Sequence, residues 1–502
     1  MFARPGDGCS LDEPFALMRM SEAGDKNLRS TYYGQNDDSE AVGRFARFQS
    51  AWVTYIEAVQ RHAEEAEEKL SYISECKSEH ERKKLGSYYT PTDVADFFWR
   101  ELFAQNDVLD EEDALSFLRK HHFVEPAAGA GALIFALFKR FLTLGVTAEQ
   151  LAEIELSIVD VNTNALAFIE KQLEVLAGAW DVSFKRVRLV RDDFLSADLN
   201  SGFKPHFFFG NPPFVANEKG RSPWKNIYAD FLEKALTHVG REGGVHFIVP
   251  LSVAFSRDYS ALRTMITDTR GTVCLSNFDN IPDTLFKSGK PSHTNTNKAN
   301  SQRCTILTVL PGKPKKLLAT PLLRWSKKDR AELLSQSPEY VDVSDYSFDQ
   351  QFPRPEGQAV MDYLDLAADS PSLGSIISKS GRHKLFVAGV ARNYVSLREG
   401  PANGVHALGF ESEDDFLLGL GVLSSDLFLS YWLSIGDGFH LTKGNIFNFP
   451  LHHTLVQECQ RNAPAIRATW KARQRFQKGK LNSGRMTKSF DLRDAVPSLA
   501  GV

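Results

Sequence analysis

Residues 123–132 read FVEPAAGAGA, and this stretch decides the fold because a strand runs into a turn of small residues and then into a helix. Gly129 and Gly131 let the backbone approach a ligand closely, and Glu125 ends the strand at a crevice. A dinucleotide-binding fingerprint would need a third glycine at position 134, where Ile134 stands, so a nicotinamide cofactor is disfavoured. Taken alone, the turn fits a purely structural connection equally well.

Strand-like apolar runs alternate with amphipathic helices from residue 85 to residue 312. The runs are His122–Val124, Ile154–Val159, Arg186–Val190, His206–Phe209, Val245–Val249, Val273–Ser276 and Cys304–Leu310. Helical patterns between them cover Leu133–Leu144, Thr163–Leu176 and Tyr228–Val239. This alternation predicts an α/β fold with a Rossmann-like, doubly wound, mostly parallel sheet.

The composition limits the class of protein. The 502 residues carry a net charge of −4. This argues against a protein that binds nucleic acid through a uniformly basic surface, but it is compatible with a local basic face. No signal-peptide core is present, and no apolar run reaches the roughly 18 residues that span a bilayer. The five cysteines include no CxxC pair, which excludes a zinc site by spacing and fits reduced thiols. We therefore expect a soluble cytoplasmic enzyme.

Two further predicted strands end in acidic residues. Asp160 follows the second strand, where a carboxylate can accept hydrogen bonds from both hydroxyls of a ribose. An N-cap role for the helix that follows Asp160 is an equally good interpretation. The third strand ends in Asp192-Asp193-Phe194, where an acid can accept from an adenine amino group. In isolation, a surface turn is the better interpretation of that segment.

The fourth strand ends most abruptly, in the segment 206-HFFFGNPPF-214. Its two prolines, Pro212 and Pro213, fix φ and remove two backbone donors, which leaves carbonyl groups pointing outward. The Asn211 amide oxygen and the Pro212 carbonyl can then accept both hydrogens of an exocyclic amine. Phe214 offers a stacking face for the ring that bears the amine. An ordinary loop would not require an asparagine and an aromatic residue around two prolines, so a catalytic turn is favoured.

The flanking segments differ from this central region. Residues 1–84 are predicted to form a flexible leader and a helical segment, whose apolar stripe consists of Phe45, Phe48, Trp52, Ile56 and Val59. Beyond residue 314 the alternation is lost, and we expect a separate α+β domain over 315–456. The basic tail, 457–502, has no acidic residue from Cys459 to Phe490 and could track a DNA backbone. A solubilising helix with Trp470 and Phe476 docked on the domain is an equally good interpretation.

Together, these segments resemble the S-adenosylmethionine-dependent amino-methyltransferases, and specifically the gamma group of DNA adenine-N6 methyltransferases of restriction–modification systems. That group is similar in placing one cofactor motif ahead of the glycine turn and the target recognition domain after the catalytic domain. Here 86-GSYYTP-91 matches the upstream motif. We expect Thr90 to be the N-cap and Pro91 the first residue of a helix. The expected buried stripe of that helix is Val94, Phe97, Phe98 and Leu102.

The resemblance implies S-adenosylmethionine as the cofactor, without a metal, and a role for each matching residue. Thr90, Glu125, Gly129 and Gly131 would cradle the methionine moiety. Asp160 would hold the ribose, and Asp193 with Phe194 the adenine. The expected cofactor set is Tyr89, Thr90, Glu125, Pro126, Ala127, Gly129, Gly131, Asp160, Val161, Asp193, Phe194 and Asn211. The expected catalytic turn is Asn211, Pro212, Pro213 and Phe214.

The resemblance also implies a flipped target base and a DNA partner. Phe286, in the segment 283-DTLFK-287, would pack against the second face of the base. Residues 85–314 would form the catalytic domain and 315–456 the target recognition domain, with a looser likeness at 440-HLTKGN-445 to the close of such a domain. The expected partner is double-stranded DNA, together with a separate restriction or defence subunit, in the prokaryotic cytoplasm and at the nucleoid when bound to DNA.

Three alternatives stay open. Asn-Pro-Pro turns also occur in methyltransferases that act on RNA or on a protein glutamine amide. The chain could instead be a modification subunit that needs a separate specificity partner. It could also be a non-catalytic binding module that keeps the fold.

Overall fold

The computed structural model describes most of the chain as two compact units. The described residues are 50–66, 90–198, 205–280, 282–286, 302–346, 351–391, 393–482 and 485–496. The first unit comprises the described parts of Met1–Asn217, Asn226–Phe247 and Ala331–Ser337. The second comprises the described parts of Glu218–Lys225, Ile248–Arg330 and Pro338–Val502.

Helices and strands are numbered here in chain order. The helices are α1 (residues 50–66), α2 Thr92–Gln105, α3 Glu111–Lys120, α4 Ala132–Thr143, α5 Ala148–Leu151, α6 Thr163–Trp180, α7 Ile227–His238, α8 Ser252–Phe255, α9 Ser260–Asp268, α10 Arg330–Ser335, α11 Gln358–Leu366, α12 Glu413–Leu423, α13 Asp426–Ile435, α14 Lys443–Phe447, α15 His453–Arg461 and α16 Ala463–Lys471. The strands are β1 His122–Glu125, β2 Glu155–Val159, β3 Val187–Val190, β4 His206–Gly210, β5 Gly244–Pro250, β6 Thr272–Phe278, β7 Cys304–Leu310, β8 Lys316–Leu323, β9 Val341–Asp342, β10 His383–Ala388, β11 Leu397–Arg398, β12 Val405–Phe410, β13 Gln477–Asn482 and β14 Arg485–Phe490.

The first unit is built on parallel strands in the order β3-β2-β1-β4-β5, to which β5 contributes Gly244–Phe247. Phe123 of β1 lies beside Leu156 of β2 and Phe207 of β4, so the carboxyl ends of these strands meet at one edge. The strand order reverses between β1 and β4, and in open parallel sheets ligands bind outside the carboxyl ends at such a reversal. The α/β, Rossmann-like fold class predicted from the sequence is confirmed.

Aromatic side chains fill the core of the first unit. The ring centroid of Phe117 lies 5.2 Å from that of Phe207 and 5.7 Å from that of Phe123. Phe103 joins the cluster at 5.5 Å from Phe117 and 5.3 Å from Phe141. Edge-to-face pairs at these distances stabilise a core beyond the burial of their area. Many of the phenylalanines therefore serve packing rather than base stacking.

Helix α1 packs on the first unit through the predicted apolar stripe. Ile56 is fully buried, and Val59 is 5% exposed. The ring of Trp52 lies 5.2 Å from that of Trp180, at the end of α6. Phe45 and Phe48, the other two members of the stripe, lie outside the described residues.

The second unit contains two sets of strands. The first set runs β5-β7-β6-β8-β9, with β7 antiparallel and β8 parallel to β6. The second set runs β12-β10-β11-β14-β13, and its paired neighbours are antiparallel. Since β13 pairs with β14 and β14 pairs with β11, Gln477–Asn482 and Arg485–Phe490 are integral to the fold of this unit. The ring of Trp470 lies 5.7 Å from that of Phe416, in agreement with the docked interpretation of the tail.

The sheet of the second unit continues past the expected end of the catalytic domain. Strand β8 begins after residue 314, and its Leu317 lies beside Val273 of β6. The compact units are defined by packing, whereas the segments 85–314 and 315–456 are defined by their expected roles. The assignment of those roles stays a prediction.

In the part of the chain that the structure describes, no single helix is long and apolar enough to cross a membrane. Helices α12 and α13 meet that criterion of length and composition only as a pair, with a bend of 63° between them.

Candidate active site

The candidate site lies where the segments after β1, β2 and β4 meet, within the first unit. The backbone N–H of Ala128, after β1, donates to the carbonyl oxygen of Val159, at the end of β2, at 3.2 Å. Gly210, the last residue of β4, lies so close to Pro126 that an added Cβ would be 3.2 Å from the Pro126 Cδ atom. The three segments are therefore held together by their backbones, as the register of the parallel strands requires.

The turn after β1 needs its glycines. Gly129 has a φ of 53° and Gly131 a φ of 85°, both in the left-handed region that side chains with a Cβ disfavour. Gly131 is also the N-cap residue of α4, and a Cβ there would lie 3.0 Å from the Phe135 ring and 3.1 Å from Ile169. The conformation thus allows the backbone at 129–131 to bend tightly at the edge of the sheet. Beside it, Pro126 is buried and Ala127 half-buried.

Asp160 ties the segment after β2 to the glycine turn. Its Oδ2 accepts a hydrogen bond from the Gly129 N–H at 2.8 Å, and its Oδ1 accepts one from the Asn162 N–H at 2.7 Å. Burial raises the pKa of this carboxyl above its ordinary value, against the lowering effect of the backbone hydrogen bonds from Asn162, Gly129 and Val161. Val161, which follows, is 67% exposed.

Asp160 does not cap the next helix. The N-cap residue of α6 is Asn162, whose side chain accepts from the N–H groups of Asn164 and Ala165. The N-cap interpretation of Asp160 is therefore wrong. Since each carboxylate oxygen can accept more than one hydrogen bond, Asp160 can still take donors from a ligand.

Asn211, directly after β4, contacts the segment before α2. Its amide Nδ2 donates to the Thr90 Oγ1 at 3.2 Å, across 121 positions of sequence. Thr90 is 5% exposed, so this contact is shielded from water. The sequence motif around Thr90 and the turn at Asn211 therefore meet at one point.

Thr90 is not the N-cap that the sequence predicts. Helix α2 begins at Thr92, its N-cap residue is Pro91, and no side chain of the described residues caps this end. The Pro91 carbonyl oxygen accepts from the Ala95 N–H at 2.9 Å, which is the contact expected of an N-cap residue. The predicted buried stripe of this helix is confirmed, since Val94, Phe97, Phe98 and Leu102 are at most 1% exposed.

Glu125 and the Pro-Pro-Phe segment complete the edge. Glu125 is the last residue of β1 and is 2% exposed, so a carboxyl group lies inside the sheet edge. Pro212 is buried and Pro213 half-buried. Phe214 is 6% exposed, and its ring packs edge to face against Tyr228 at 6.4 Å. In this conformation the Phe214 ring is covered by the first unit.

The segment after β3 is held by a residue that sequence reasoning missed. Lys234 of α7 donates from Nζ to the carbonyl oxygens of Phe194 at 2.6 Å, Ala197 at 2.8 Å and Leu195 at 3.2 Å. Burial lowers the pKa of Lys234, and the neighbouring Asp193, Asp192 and Asp198 oppose that shift. The sequence offered a weak signal, since Lys234 follows the apolar Phe231 by three positions and so falls on the same side of the predicted helix.

Asp193 and Phe194 have different environments. Asp193 is half-buried, and its Oδ1 accepts from the Leu195 N–H at 3.0 Å. Phe194 is 1% exposed and packs 5.0 Å from Phe231, so its ring belongs to the core. At this segment the Asp193 carboxylate and the backbone are therefore the groups available to a ligand.

Two of the predicted residues are not among the described residues of the first unit. Tyr89 is outside the described residues. Phe286 belongs to the second unit and is 5% exposed. Its segment is held by Arg330, which donates to the carbonyl oxygens of Thr284 at 2.7 Å and Leu285 at 2.8 Å.

The second unit contains an open cavity of about 810 Å³ next to the 440–445 segment. Its lining includes Phe255, Arg257, His440 and Asn445. The His440 Nδ1 is bonded to the Asp437 carboxylate at 2.5 Å, which fixes the orientation of the ring. The segment compared with the close of a recognition domain is therefore an ordered, polar part of a concave surface.

The basic residues near the C-terminal hairpin are partly neutralised. Arg461 pairs with Glu458, Arg467 with Glu413 at 2.8 Å, and Lys478 with Asp491 at 2.6 Å. The exposed basic side chains outside these pairs include Lys471, Arg475 and Lys488. Fewer cations are therefore available to a polyanion than the sequence suggests.

Among the described residues, no group of three or more His, Cys, Asp and Glu side chains could hold a metal ion.

No family model and no curated protein matches the chain. Solved structures similar to it include the DrdV–DNA complex, with a TM-score of 0.42 and 13% identity over 76% of this chain and 42% of that one. A type I restriction-modification system methyltransferase subunit from Streptococcus thermophilus gives a TM-score of 0.34 and 15% identity over 49% and 52%. The type IIG restriction endonuclease BpuSI gives 0.37 and 13% over 75% and 60%. The chain spans less than two thirds of the length of each of these.

Proposed function

We propose that this protein is a site-specific DNA methyltransferase that moves a methyl group from S-adenosylmethionine to the N6 amine of a flipped-out adenine in duplex DNA. Its setting would be a restriction–modification or phage-defence system in the prokaryotic cytoplasm. The observation that carries the proposal is the position of Asn211. This asparagine follows β4, beside the reversal of the strand order, and its amide nitrogen is bonded to the Thr90 hydroxyl.

The residues present fit the proposed cofactor. Asp160, directly after β2, has a carboxylate that can accept from ribose hydroxyls, and the Gly129–Gly131 turn brings backbone to the same edge. Glu125 and Asp193 add carboxylates at the ends of β1 and β3. When bound, S-adenosylmethionine would supply an electrophilic methyl group on a sulfonium.

The Asn211 turn would act on the nucleophile. An aromatic amine is a poor nucleophile because its lone pair is delocalised into the ring. Hydrogen bonds accepted by the Asn211 amide oxygen and the Pro212 carbonyl would draw the nitrogen towards tetrahedral geometry and localise that lone pair. Neither residue needs to titrate, and most of the acceleration would come from holding the two reactants in line.

The target base would have to leave the duplex, because its amine is otherwise paired. Unstacking costs a few kcal/mol, and stacking on an aromatic side chain offsets part of that cost. Phe214 is 6% exposed, and its ring packs against Tyr228. A base can therefore stack on Phe214 only if the ring moves away from Tyr228. Phe286 is the proposed second stacking residue.

Recognition would fall to residues 315–456, with phosphate contacts from the basic tail over 457–502. Deleting 315–456 would also remove β8, a strand paired with β6, so a truncated protein cannot separate recognition from folding. Point substitutions are therefore the better test of this part of the proposal.

The proposal is tested by transfer of labelled methyl to unmethylated duplex DNA, with RNA and bulk protein as parallel acceptors. We expect N6-methyladenine in DNA, lost in Asn211→Ala while cofactor affinity stays within a few-fold by calorimetry. Asn164→Ala, at an exposed position of α6, is the matched control and should keep full activity.

Any other result would contradict one specific part of the proposed function. Label found in RNA or in protein would show that DNA is not the acceptor. Substantial activity in Asn211→Ala would remove the catalytic assignment. Cofactor binding without transfer would indicate a missing specificity partner or a binding-only module.

A further inference from the structure

We propose that helix α1 is a positioning element of the candidate active site, because it fixes the start of α2 and thereby keeps the Thr90 hydroxyl where it orients the Asn211 carboxamide. The inference rests on the proposed function. It adds to that proposal an N-terminal helix whose role the sequence leaves unassigned.

The first step is the orientation of the amide. A carboxamide turned by 180° exchanges the positions of its oxygen and nitrogen. The amide nitrogen is only a donor, so in the turned orientation it could not accept a hydrogen bond from a substrate amine. The Asn211 Nδ2 donates to the Thr90 Oγ1 at 3.2 Å, which leaves the Asn211 Oδ1 to accept from a substrate amine. Thr90 therefore helps to hold the carboxamide in the orientation that the proposed chemistry needs.

The second step is what holds Thr90. Thr90 lies two residues before α2, whose N-cap residue, Pro91, offers no side-chain cap. The first residue of the helix, Thr92, instead donates its hydroxyl hydrogen to the Glu64 carboxylate of α1. One turn later, the Asp96 Oδ1 accepts from the Gln60 Nε2 at 3.0 Å. Two polar contacts from α1 thus hold the first and second turns of α2.

The third step is the burial of this network. Gln60 is fully buried, and the Lys139 ammonium of α4 donates to Asp96 at 2.8 Å and pairs with Glu57 of α1 at 3.0 Å. Burial opposes the charge of Lys139, but its hydrogen bonds to Asp96 and Glu57 outweigh that effect and raise its pKa. A charged group held by partners on two helices resists sliding of α1 along α2.

The apolar face of α1 makes the inference testable. Ile56 and Val59 are buried, and Trp52 packs on Trp180, independently of the polar contacts. We therefore expect α1 to stay docked when one polar contact is removed. A substitution at Glu64 then changes the position of α2 rather than the folding of the unit.

The first experiment compares Glu64→Ala with Glu64→Gln, which keeps an oxygen acceptor, and with Glu65→Ala, an exposed neighbour on the same helix. We expect Glu64→Ala to lower kcat, measured at saturating cofactor, by about 10- to 100-fold, the effect of a misplacement near 1 Å. Glu64→Gln should recover most of the rate, and Glu65→Ala should match the wild type. In a Thr90→Val background, Glu64→Ala should lower the rate no further, because the same link is already broken.

The second experiment does not depend on methyl transfer. The side-chain amide resonance of Asn211, identified by its loss in Asn211→Ala, should shift in Glu64→Ala and Thr90→Val and stay in place in Glu65→Ala. Backbone amides in the first turn of α2 should exchange faster in Glu64→Ala. An unshifted resonance, or additive losses in the double variant, would overturn the inference. Shifts without any methyl transfer by the wild type would instead overturn the proposed function alone.

Discussion

The backbone N–H of Gly129 donates to the Asp160 Oδ2 at 2.8 Å and thereby joins the turn after β1 to the segment after β2. The carboxylate that is proposed to hold the ribose is thus also the acceptor that orders the glycine turn. Two parts of the proposed cofactor site depend on a single ionised side chain, which makes the site sensitive to pH.

We expect cofactor binding to weaken on acidification. The loss should begin at a higher pH than it would if the carboxyl group had the pKa of an ordinary aspartate. Burial raises the pKa of Asp160, and only its ionised form accepts from ribose hydroxyls with both oxygens. As the pH falls through that raised pKa the carboxylate is protonated, so binding weakens above the ordinary value of about 3.9. Calorimetry over a pH series checks this. Asp160→Asn should bind about 10- to 100-fold more weakly at neutral pH and lose this pH dependence. Equal affinity of variant and wild type would refute the role.

Gly131→Ala should destabilise the first unit and weaken cofactor binding. The left-handed φ of 85° costs a residue with a Cβ about 1–2 kcal/mol, and that Cβ would meet the Phe135 ring at 3.0 Å. Gly178→Ala is the matched control, because Gly178 lies in α6 with no atom within 4 Å of an added Cβ. It should stabilise by about 0.5–1 kcal/mol. Thermal unfolding of both variants measures the difference, and equal midpoints would contradict it.

Lys234→Met should loosen the segment after β3. The substitution keeps the length of the side chain but removes its hydrogen bonds to three carbonyl groups, and a hydrogen bond to a charged group contributes about 1.5–3 kcal/mol. We expect a higher KM for the cofactor and faster exchange of the amides at 194–197. Lys171→Met, on an exposed part of α6, should change neither quantity. Unchanged exchange at 194–197 would show that the segment is ordered without Lys234.

The double substitution Arg475→Ala and Lys488→Ala should weaken DNA binding and reduce its salt dependence. Both residues are exposed and lie outside the ion pairs of this region. Each lost phosphate contact should lower the slope of log affinity against log salt by about 1. The control is Arg461→Ala, which removes a positive charge from the same region. Because Arg461 is paired with Glu458, this variant should leave the slope unchanged. An unchanged slope in the double variant would move the phosphate contacts elsewhere.

The sequence predicted most of the strands that carry the candidate site. Alternation of apolar runs located β1, β2 and β4 to within two residues, because a buried parallel strand must be apolar throughout. The positions of Asp160 and Asn211 after their strands followed directly from those boundaries. The start of α2 was missed by one residue, since its N-cap residue is Pro91 rather than Thr90 and the helix begins at Thr92. The Thr90 hydroxyl accepts from Asn211 instead, a long-range contact that no local pattern encodes.

What the sequence by itself determined is which residues end which strands, because hydrophobic periodicity and turn residues are local properties of the chain. Only the tertiary structure decided which of those residues meet. The bond from Asn211 to Thr90, the reach of Lys234 to residues 194–197 and the docking of α1 on α2 join positions between 28 and 121 residues apart. Such contacts depend on strand order and helix packing, which no local pattern encodes.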